Sequence, residues 1–393
     1  MIPISILARN FLLDWLLSGL PRIGRKQDGK TSILLVRLDA IGDFVLWLDV
    51  AAGLRTLYPP ERYRLVLLGN ALWTDLALDQ PCFDEVIPLH TEKFAYDLRY
   101  RLALWRLLRG TSWQTVINPT FSRHLPYDDA IVRICGAKER IGSRSDLSNQ
   151  RGWELKISNR WYSRLIPAGD QPMMELKRNA EFLRALGLPD FRAGLPALVV
   201  RAEPPADLAG QRYYVVVPSA SLPMKQWPVE KFAELVRKIW KRYGLKAVVC
   251  GAPGERELGG RLQRLVSDRA EEIDLRTGTT SLTEFAALIK GALLVIGNDS
   301  SAIHIAAALG TRSFCLAGGA HHGRFVPYHI EGEAAGPLPV TIAHSMECYH
   351  CNLNCSHVQE GGSAPCLEKI SVDDVWRELL NSLDIPQSME QPQ

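Results

Sequence analysis

The chain has 393 residues, 47% hydrophobic and 23% charged, which suits two domains of ordinary size with substantial cores. A formal net charge of only +3 gives no reason to invoke a nucleic-acid partner. First in chain order comes a strongly apolar segment, residues 4–20, in which Ser5, Arg9, Asn10, Asp14 and Ser18 recur at roughly helical spacing as one narrow polar stripe. With Arg9 and Asp14 inside it and fewer than the ~20 apolar residues of a bilayer span, this segment is not expected to cross a membrane. It also lacks the order of charge, apolar run and small-residue cleavage site that marks a signal peptide. Residues 1–30 therefore stand apart as an amphipathic segment. It either lies on a membrane surface, helped by Arg22, Arg25 and Lys26, or packs as a helix on the protein itself.

The stretch Ile33 to Leu46, ILLVRLDAIGDFVL, follows as an apolar strand, a turn ending in Gly42-Asp43, and a helix with Leu46, Val50 and Leu54 on one face. A carboxylate at the carboxyl end of a first parallel strand lies where open α/β sheets bind ligands, so Asp43 is the candidate catalytic base. Its competing role is an ordinary helix cap. Short strands are expected at Leu65 to Leu68, Glu85 to Pro88 and Thr115 to Asn118, with helices around Ala71 to Leu78, Phe94 to Leu108 and Met173 to Leu186. This alternation predicts a parallel, doubly wound sheet. Residues 93–164 hold fourteen basic and six acidic side chains, among them Arg99, Arg101, Arg106, Arg109, Arg123, Arg140 and Arg144. Such an excess either captures an anionic, phosphorylated acceptor or is a solvated basic surface.

Pro189 through Gly210 is rich in Pro, Gly and Ala and marks the boundary between domains. A second alternation follows: strands at Tyr213 to Val217, Lys246 to Cys250 and Leu293 to Ile296, helices at Val229 to Arg242, Glu255 to Val266 and Leu282 to Lys290, and an amphipathic closing helix at Ser371 to Leu383. The strand at Leu293 leads through Gly297-Asn298 into Asp299-Ser300-Ser301 and a helix reading AIHIAAALG. A polar cluster that opens a helix offers unpaired backbone N–H groups and a positive dipole end, which suits a diphosphate. Asp299 as a plain cap and His304 as a core residue are the alternatives.

Three segments, ILLVRLDAIGDFVL, PSASLPMKQWP and GNDSSAIHIAAALGT, stand in the order and spacing of one glycosyltransferase family. From about residue 31 to 380 the chain resembles that family, glycosyltransferase family 9, which contains the bacterial lipopolysaccharide heptosyltransferases. The resemblance implies an inverting enzyme of GT-B type, an α/β protein with two Rossmann-like doubly wound domains facing a cleft. The expected bounds are 31–205 for an acceptor-side domain, 206–370 for a nucleotide-sugar-binding domain, and 371–393 for a closing helix and tail that packs back toward the first domain.

Sugar transfer needs a base for the incoming hydroxyl and positive charge or N–H donors for the departing diphosphate. The sequence contains no Asp-x-Asp, so the protein itself is expected to neutralise the leaving group, with no cofactor required for catalysis. Lys225, on the loop after the Tyr213 strand, is the candidate cation. By resemblance it matches the family's phosphate-binding lysine, Ala220 and Ser221 flank the diphosphate, Glu255 contacts the nucleoside, and Asp299, Ser300, Ser301 and His304 form the donor-site run. The family usually has Thr-Gly where this chain has Ser300-Ser301, and the extra side chain at Ser301 either donates a hydrogen bond or crowds the donor.

Of eight cysteines, four fall late, Cys348-x2-Cys351-x3-Cys355-x10-Cys366, with His350 and His357 between them. The spacing makes them a candidate structural zinc site, the alternatives being free thiols or disulfides. Cys82, Cys135, Cys250 and Cys315 sit in apolar sequence and read as buried small hydrophobes. The resulting expectation is a transferase at the cytoplasmic face of the inner membrane. Its donor is a nucleotide-diphosphate sugar, ADP-heptose by resemblance, and its acceptor an anionic lipopolysaccharide-core or related cell-envelope glycan. A nucleotide-sugar epimerase of the same architecture and a noncatalytic sugar-nucleotide-binding protein are the rival readings.

Overall fold

The computed structural model describes residues 3–19, 29–169, 171–266, 272–357 and 362–382. It divides into two compact units, residues 1–171 with 176–193 and residues 172–175 with 194–393. The first is built on six parallel strands: β1 (Thr31–Arg37), β2 (Tyr63–Asn70), β3 (Glu85–Leu89), β4 (Trp113–Asn118), β5 (Glu139–Ser143) and β6 (Arg164–Ile166). Their order is β3-β2-β1-β4-β5-β6. The second unit contributes β7 (Tyr213–Val217), β8 (Lys246–Val249), β9 (Ile273–Leu275), β10 (Val295–Asn298), β11 (Ser313–Ala317) and β12 (Val340–Ala343), in the order β12-β11-β10-β7-β8-β9. All strand pairings are parallel. In each sheet the chain winds outward from the first strand, returns past it and winds the other way. The reversal lies between β1 and β4 and between β7 and β10, and such a reversal leaves a crevice at the carboxyl ends of the two strands.

The central strands are buried on both faces, as helix-covered parallel sheets require, which is why Ile33 to Val36 and Tyr213 to Val217 read as continuous apolar runs. Each fully buried Val, Leu or Ile on them contributes about 1.5–3 kcal/mol relative to exposure. Strands β5, β6, β9, β11 and β12 were not expected from the sequence. They are three to five residues long, and ERIGS and RLI carry no apolar run that distinguishes them from loop.

Several expectations need correction. The boundary between units falls at Ala193–Gly194, not at 205–206, because the extended segment after Gly194 is tied to the second unit by Leu198 N–H to Ala308 O and by Lys290 Nζ to Val200 O. The closing helix, Val372–Ser382, lies in the second unit's own core, with Val372, Val375 and Leu379 buried beside Val236 and Ile239. The stretch Phe94 to Leu108 is two helices, Thr91–Tyr96 and Leu98–Arg109. Asp97 separates them and caps the second by accepting from the Arg99 and Tyr100 backbone N–H groups. The expected strand Leu293 to Ile296 runs instead from Val295 to Asn298, so Gly297 and Asn298 belong to the ladder.

The N-terminal helix, Ile4–Ser18, packs on the first unit, and the middle of its polar stripe faces inward while Ser5 is exposed. Asn10 and Asp14 are its buried residues; Asn10 Nδ2 donates to Ala95 O at 2.8 Å, and Asp14 is ion-paired with the buried Arg101. Arg22, Arg25 and Lys26 lie outside the described residues. Among the described residues no helix is long and apolar enough to cross a membrane. Within the basic segment Arg101, Arg109 and Arg123 are buried, Arg123 against Asp129, but Asp128 and Asp129 are buried with them, so most of the excess, including Arg99, Arg106 and Arg144, stays at the surface.

Candidate active site

The reversal point of the second sheet gathers most of the residues singled out in that half. The loop after β7 carries Ser219, Ala220 and Ser221 and then a short 3-10 turn, Pro223–Lys225; the loop after β10 carries Asp299 and Ser300. Asn298 welds the two. Fully buried, it donates from Nδ2 to Pro218 O at 2.8 Å and accepts the Trp227 backbone N–H on Oδ1 at 2.8 Å. Gly297 lets this approach happen, since a Cβ there would stand 3.0 Å from Val217 O. With the loops so fixed, Lys225 Nζ lies 3.3 Å from Asp299 Oδ2, both side chains retaining some exposure.

Beside this pair begins the helix Ser301–Ala308, whose N-cap is Ser300. A helix start concentrates unpaired N–H donors and about half a positive charge. Ser300 makes no side-chain cap bond, and among the described residues its buried Oγ has no hydrogen-bond partner. A buried hydroxyl left unpaired costs free energy, about 1–3 kcal/mol, unless a ligand takes it up. Ser301 is the first helical residue and half-buried. One turn on, His304 is fully buried with Nδ1 2.8 Å from the Tyr328 hydroxyl, and burial pushes its pKa down to about 4, so it stays neutral. It therefore braces the helix start as a neutral hydrogen-bonding ring.

Glu255 ends the 3-10 turn after β8, and its Oε2 accepts from Ser219 Oγ at 2.7 Å and from the Ala252 N–H at 2.6 Å. It is thus linked to the β7 loop that precedes Lys225. Ala220 is half-buried, with its carbonyl accepting from Gln226 Nε2, and Ser221 is exposed.

In the first unit, Asp43 lies in the first turn of the helix Ile41–Leu57, and the N-cap is Ala40. Asp43 is therefore not the N-cap residue itself. Arg37, buried at the end of β1, pairs with Asp39 at 2.7 Å and donates to the Asp43 carbonyl at 3.2 Å, fixing the turn from beneath. At the neighbouring end of β4 stands a buried network. Asn118 Nδ2 donates to Asp128 Oδ2 at 3.0 Å, Arg123 pairs with Asp129 at 2.7 Å, and Gln150 and Tyr162 also donate to Asp129. It holds a π-turn, Leu125–Asp129, a local geometry that recurs at functional sites.

All four late cysteines are free thiols and line one cavity with Lys225, Asp299 and His321. At about 30 Å³ it has room for an ion or a water or two, not a nucleotide. Its floor is Gly318-Gly319 after β11, where a Cβ on Gly319 would overlap the Tyr349 ring. The cysteine segment is strained, with His350, Asn352 and Leu353 at φ of 66°, 48° and 65°. Among the described residues, however, no three His, Cys, Asp or Glu side chains are gathered as a metal would require. Cys82, Cys135, Cys250 and Cys315 are buried as expected, and burial pushes the Cys82 and Cys250 thiols up to about 12.

Residues 101–348 match the model of glycosyltransferase family 9 (heptosyltransferase). The chain belongs to glycosyltransferase family 9. Lipopolysaccharide heptosyltransferase 3 of Escherichia coli K12 is 25% identical over 296 residues, 73% of this chain and 82% of that protein. Among solved structures, the ADP-heptose lipopolysaccharide heptosyltransferase II of E. coli superposes with a TM-score of 0.67 at 19% identity, covering 89% of this chain and 98% of the other. The E. coli heptosyltransferase WaaC with ADP-2-deoxy-2-fluoro heptose gives 0.64 at 16% identity, covering 90% and 100%. These superpositions establish the GT-B fold.

Within this family 9 chain, reading the sequence missed Asn298, Ser219 and the Asp128–Asp129 network. Asn298 carried a usable signal, a buried-type strand position holding an amide immediately before the polar cluster. The paired aspartates after Arg123 carried none, because their burial depends on Asn118, Gln150 and Tyr162 brought in from elsewhere.

Proposed function

We propose that this chain transfers heptose from ADP-heptose to a lipopolysaccharide-core or related cell-envelope glycan, with inversion at the anomeric carbon, at the cytoplasmic face of the inner membrane. The observation that carries the reading is the reversal point of the second sheet. There Lys225, Asp299 and the start of the Ser301–Ala308 helix converge beside the unpaired Ser300 hydroxyl. That is the chemistry a diphosphate recruits: a cation, N–H donors and a hydroxyl. Membership of a heptosyltransferase family and the ADP-sugar analogue carried by the WaaC structure support the choice of donor.

In this mechanism Asp43, held by its backbone to Arg37, takes the proton of the acceptor hydroxyl as that oxygen attacks the anomeric carbon. The carbon–oxygen bond to the β-phosphate breaks on the opposite face, and its electrons pass to the diphosphate. Lys225 and the helix N-terminus neutralise the charge that develops there, so the step is assigned no metal. Ala220 and Ser221 flank the diphosphate, Glu255 holds the nucleoside, and His304 supports the helix start from beneath. Ser301 offers its hydroxyl to the donor in place of the usual backbone approach. A structural zinc on Cys348, Cys351, Cys355 and Cys366 belongs to the proposal only as an organiser of the loop, and it requires the thiols to draw together from their present arrangement. The test is a transfer assay over a panel of nucleotide sugars with lipopolysaccharide-core acceptors, the anomeric configuration of the product being read by NMR. Transfer from a different nucleotide sugar, or retention of configuration, would overturn the corresponding part.

A further inference from the structure

The N-terminal helix Ile4–Ser18 buries two polar side chains at the centre of its inward face, between the half-buried Ile6, Leu7, Leu13 and Leu17. A helix that packs on a folded body normally turns its apolar stripe inward and its polar stripe to water. Here Asn10 and Asp14 point into the first unit. Asn10 Nδ2 donates to Ala95 O at 2.8 Å, Arg101 Nε donates to Asp14 Oδ1 at 2.9 Å, and Arg101 is held in turn by the Phe94 carbonyl at 2.9 Å. Satisfied buried polar contacts of this kind fix orientation, since turning the helix would leave Asp14 and Arg101 buried and unpaired.

The opposite arc faces out. Ile4 is 81% exposed, Leu12 56%, Trp15 58% and Leu16 56%, while Phe11, at 40%, leans on Trp161 and under Arg133. Together with Ala8 these positions recur at helical spacing over about 18 Å of helix and carry no charge. A contiguous apolar face of this kind marks a binding surface. Around the docking point basic side chains outnumber acidic ones: exposed Lys93, Arg99 and Arg160 with half-buried Arg9 and Arg133, against exposed Glu92 and Asp97. Lys93 and Arg99 flank the helix junction that receives Asn10 and Asp14, and Arg160 precedes Trp161, while Tyr96 and Leu98 add exposed apolar surface at the same junction.

We infer that the outward face of this helix, centred on Leu12 and Trp15, seats in a bilayer containing anionic phospholipid, with the basic residues around it meeting the headgroups. A tryptophan amid aliphatic side chains and a basic border suit the boundary between acyl chains and headgroups. The buried Asp14–Arg101 pair makes the helix a rigid part of the first unit, so the enzyme body is held at the surface in one orientation. This is independent of the sugar chemistry, because vesicle binding is read with neither donor nor acceptor present.

The experiment is flotation of the full chain with phosphatidylethanolamine/phosphatidylglycerol vesicles and with phosphatidylcholine vesicles, comparing wild type, Leu12→Glu/Trp15→Glu and Lys93→Glu/Arg99→Glu. The expected result is wild-type binding to the anionic vesicles, a loss of about tenfold or more in the apolar-face variant at unchanged melting temperature, and a smaller loss in the charge variant confined to anionic vesicles. Should the double glutamate variant fail to fold, quenching by brominated lipid decides: wild type should be quenched and Trp15→Phe should lose that quenching. A wild-type chain that does not float, or floats equally well with the apolar face charged, overturns the inference. So does a dimer that the glutamate variant dissociates while neither protein binds vesicles, since the face would then be covered by a second copy.

Discussion

Lys225 Nζ stands 3.3 Å from Asp299 Oδ2, and this contact joins the loop after β7 to the loop after β10 across the reversal point of the second sheet. Asp299 aims the ammonium and shares its charge. A diphosphate, carrying more negative charge and aided by the helix N-terminus, would compete for the same cation.

Removing the cation should therefore weaken the donor in both ground and transition states. Lys225→Ala is expected to reduce ADP affinity by about 10- to 100-fold, the range of a charge-assisted hydrogen bond, and turnover by more. Asp299→Ala should impair donor use through loss of the aimed lysine. Isothermal titration with ADP and initial rates of transfer check both, and wild-type values in the two variants would relocate the diphosphate.

Asp43→Asn preserves size and leaves the Arg37 contact to the backbone carbonyl in place, but the amide cannot take a proton. Transfer should fall by ~10²-fold or more while ADP affinity and melting temperature barely move. Near-normal transfer would remove this carboxylate from the mechanism.

Burial, reinforced by the neighbouring Asp129, raises the Asp128 carboxyl from 3.8 to about 7. The folded state then holds its proton more tightly than the unfolded chain, so this group's stabilising contribution is full below about 3.8 and is lost as the pH rises through about 7. Asp128→Asn imitates the protonated acid and should flatten the melting-temperature profile across that window, the variant gaining on wild type as pH rises. Parallel profiles for the two proteins would mean that Asp128 ionises freely in the folded state.

If the cysteine segment closes on a metal, protein purified without chelator should contain close to one zinc per chain by elemental analysis. Chelation should then loosen residues 348–366 in hydrogen exchange while nucleotide binding persists. Metal-free protein with four titratable thiols in that segment would retire the site.

How much of this was legible beforehand depended on whether the signal was local. The strands β1, β7 and β10 announced themselves because a chain segment buried on both faces must be apolar throughout, and Asp43, Lys225 and Asp299 were visible because each follows such a run at once. Family motifs add the order of these segments, and with it the two-domain fold. The short outer strands were lost to view because three to five residues of mixed composition carry no period.

What the sequence determined alone was therefore the inventory: two doubly wound units, an acid after the first strand of one, a lysine and a polar helix start after central strands of the other. The tertiary structure decided which of these meet. Only parallel pairing of β10 with β7 brings Asn298 to Trp227 and Lys225 to Asp299, and only folding buries Asp128. The N-terminal helix is the sharpest case, because its periodicity shows a polar stripe but not which way it turns. That choice was made by Arg101 and the Ala95 carbonyl, far along the chain, whose hydrogen bonds hold Asp14 and Asn10 on the inward side.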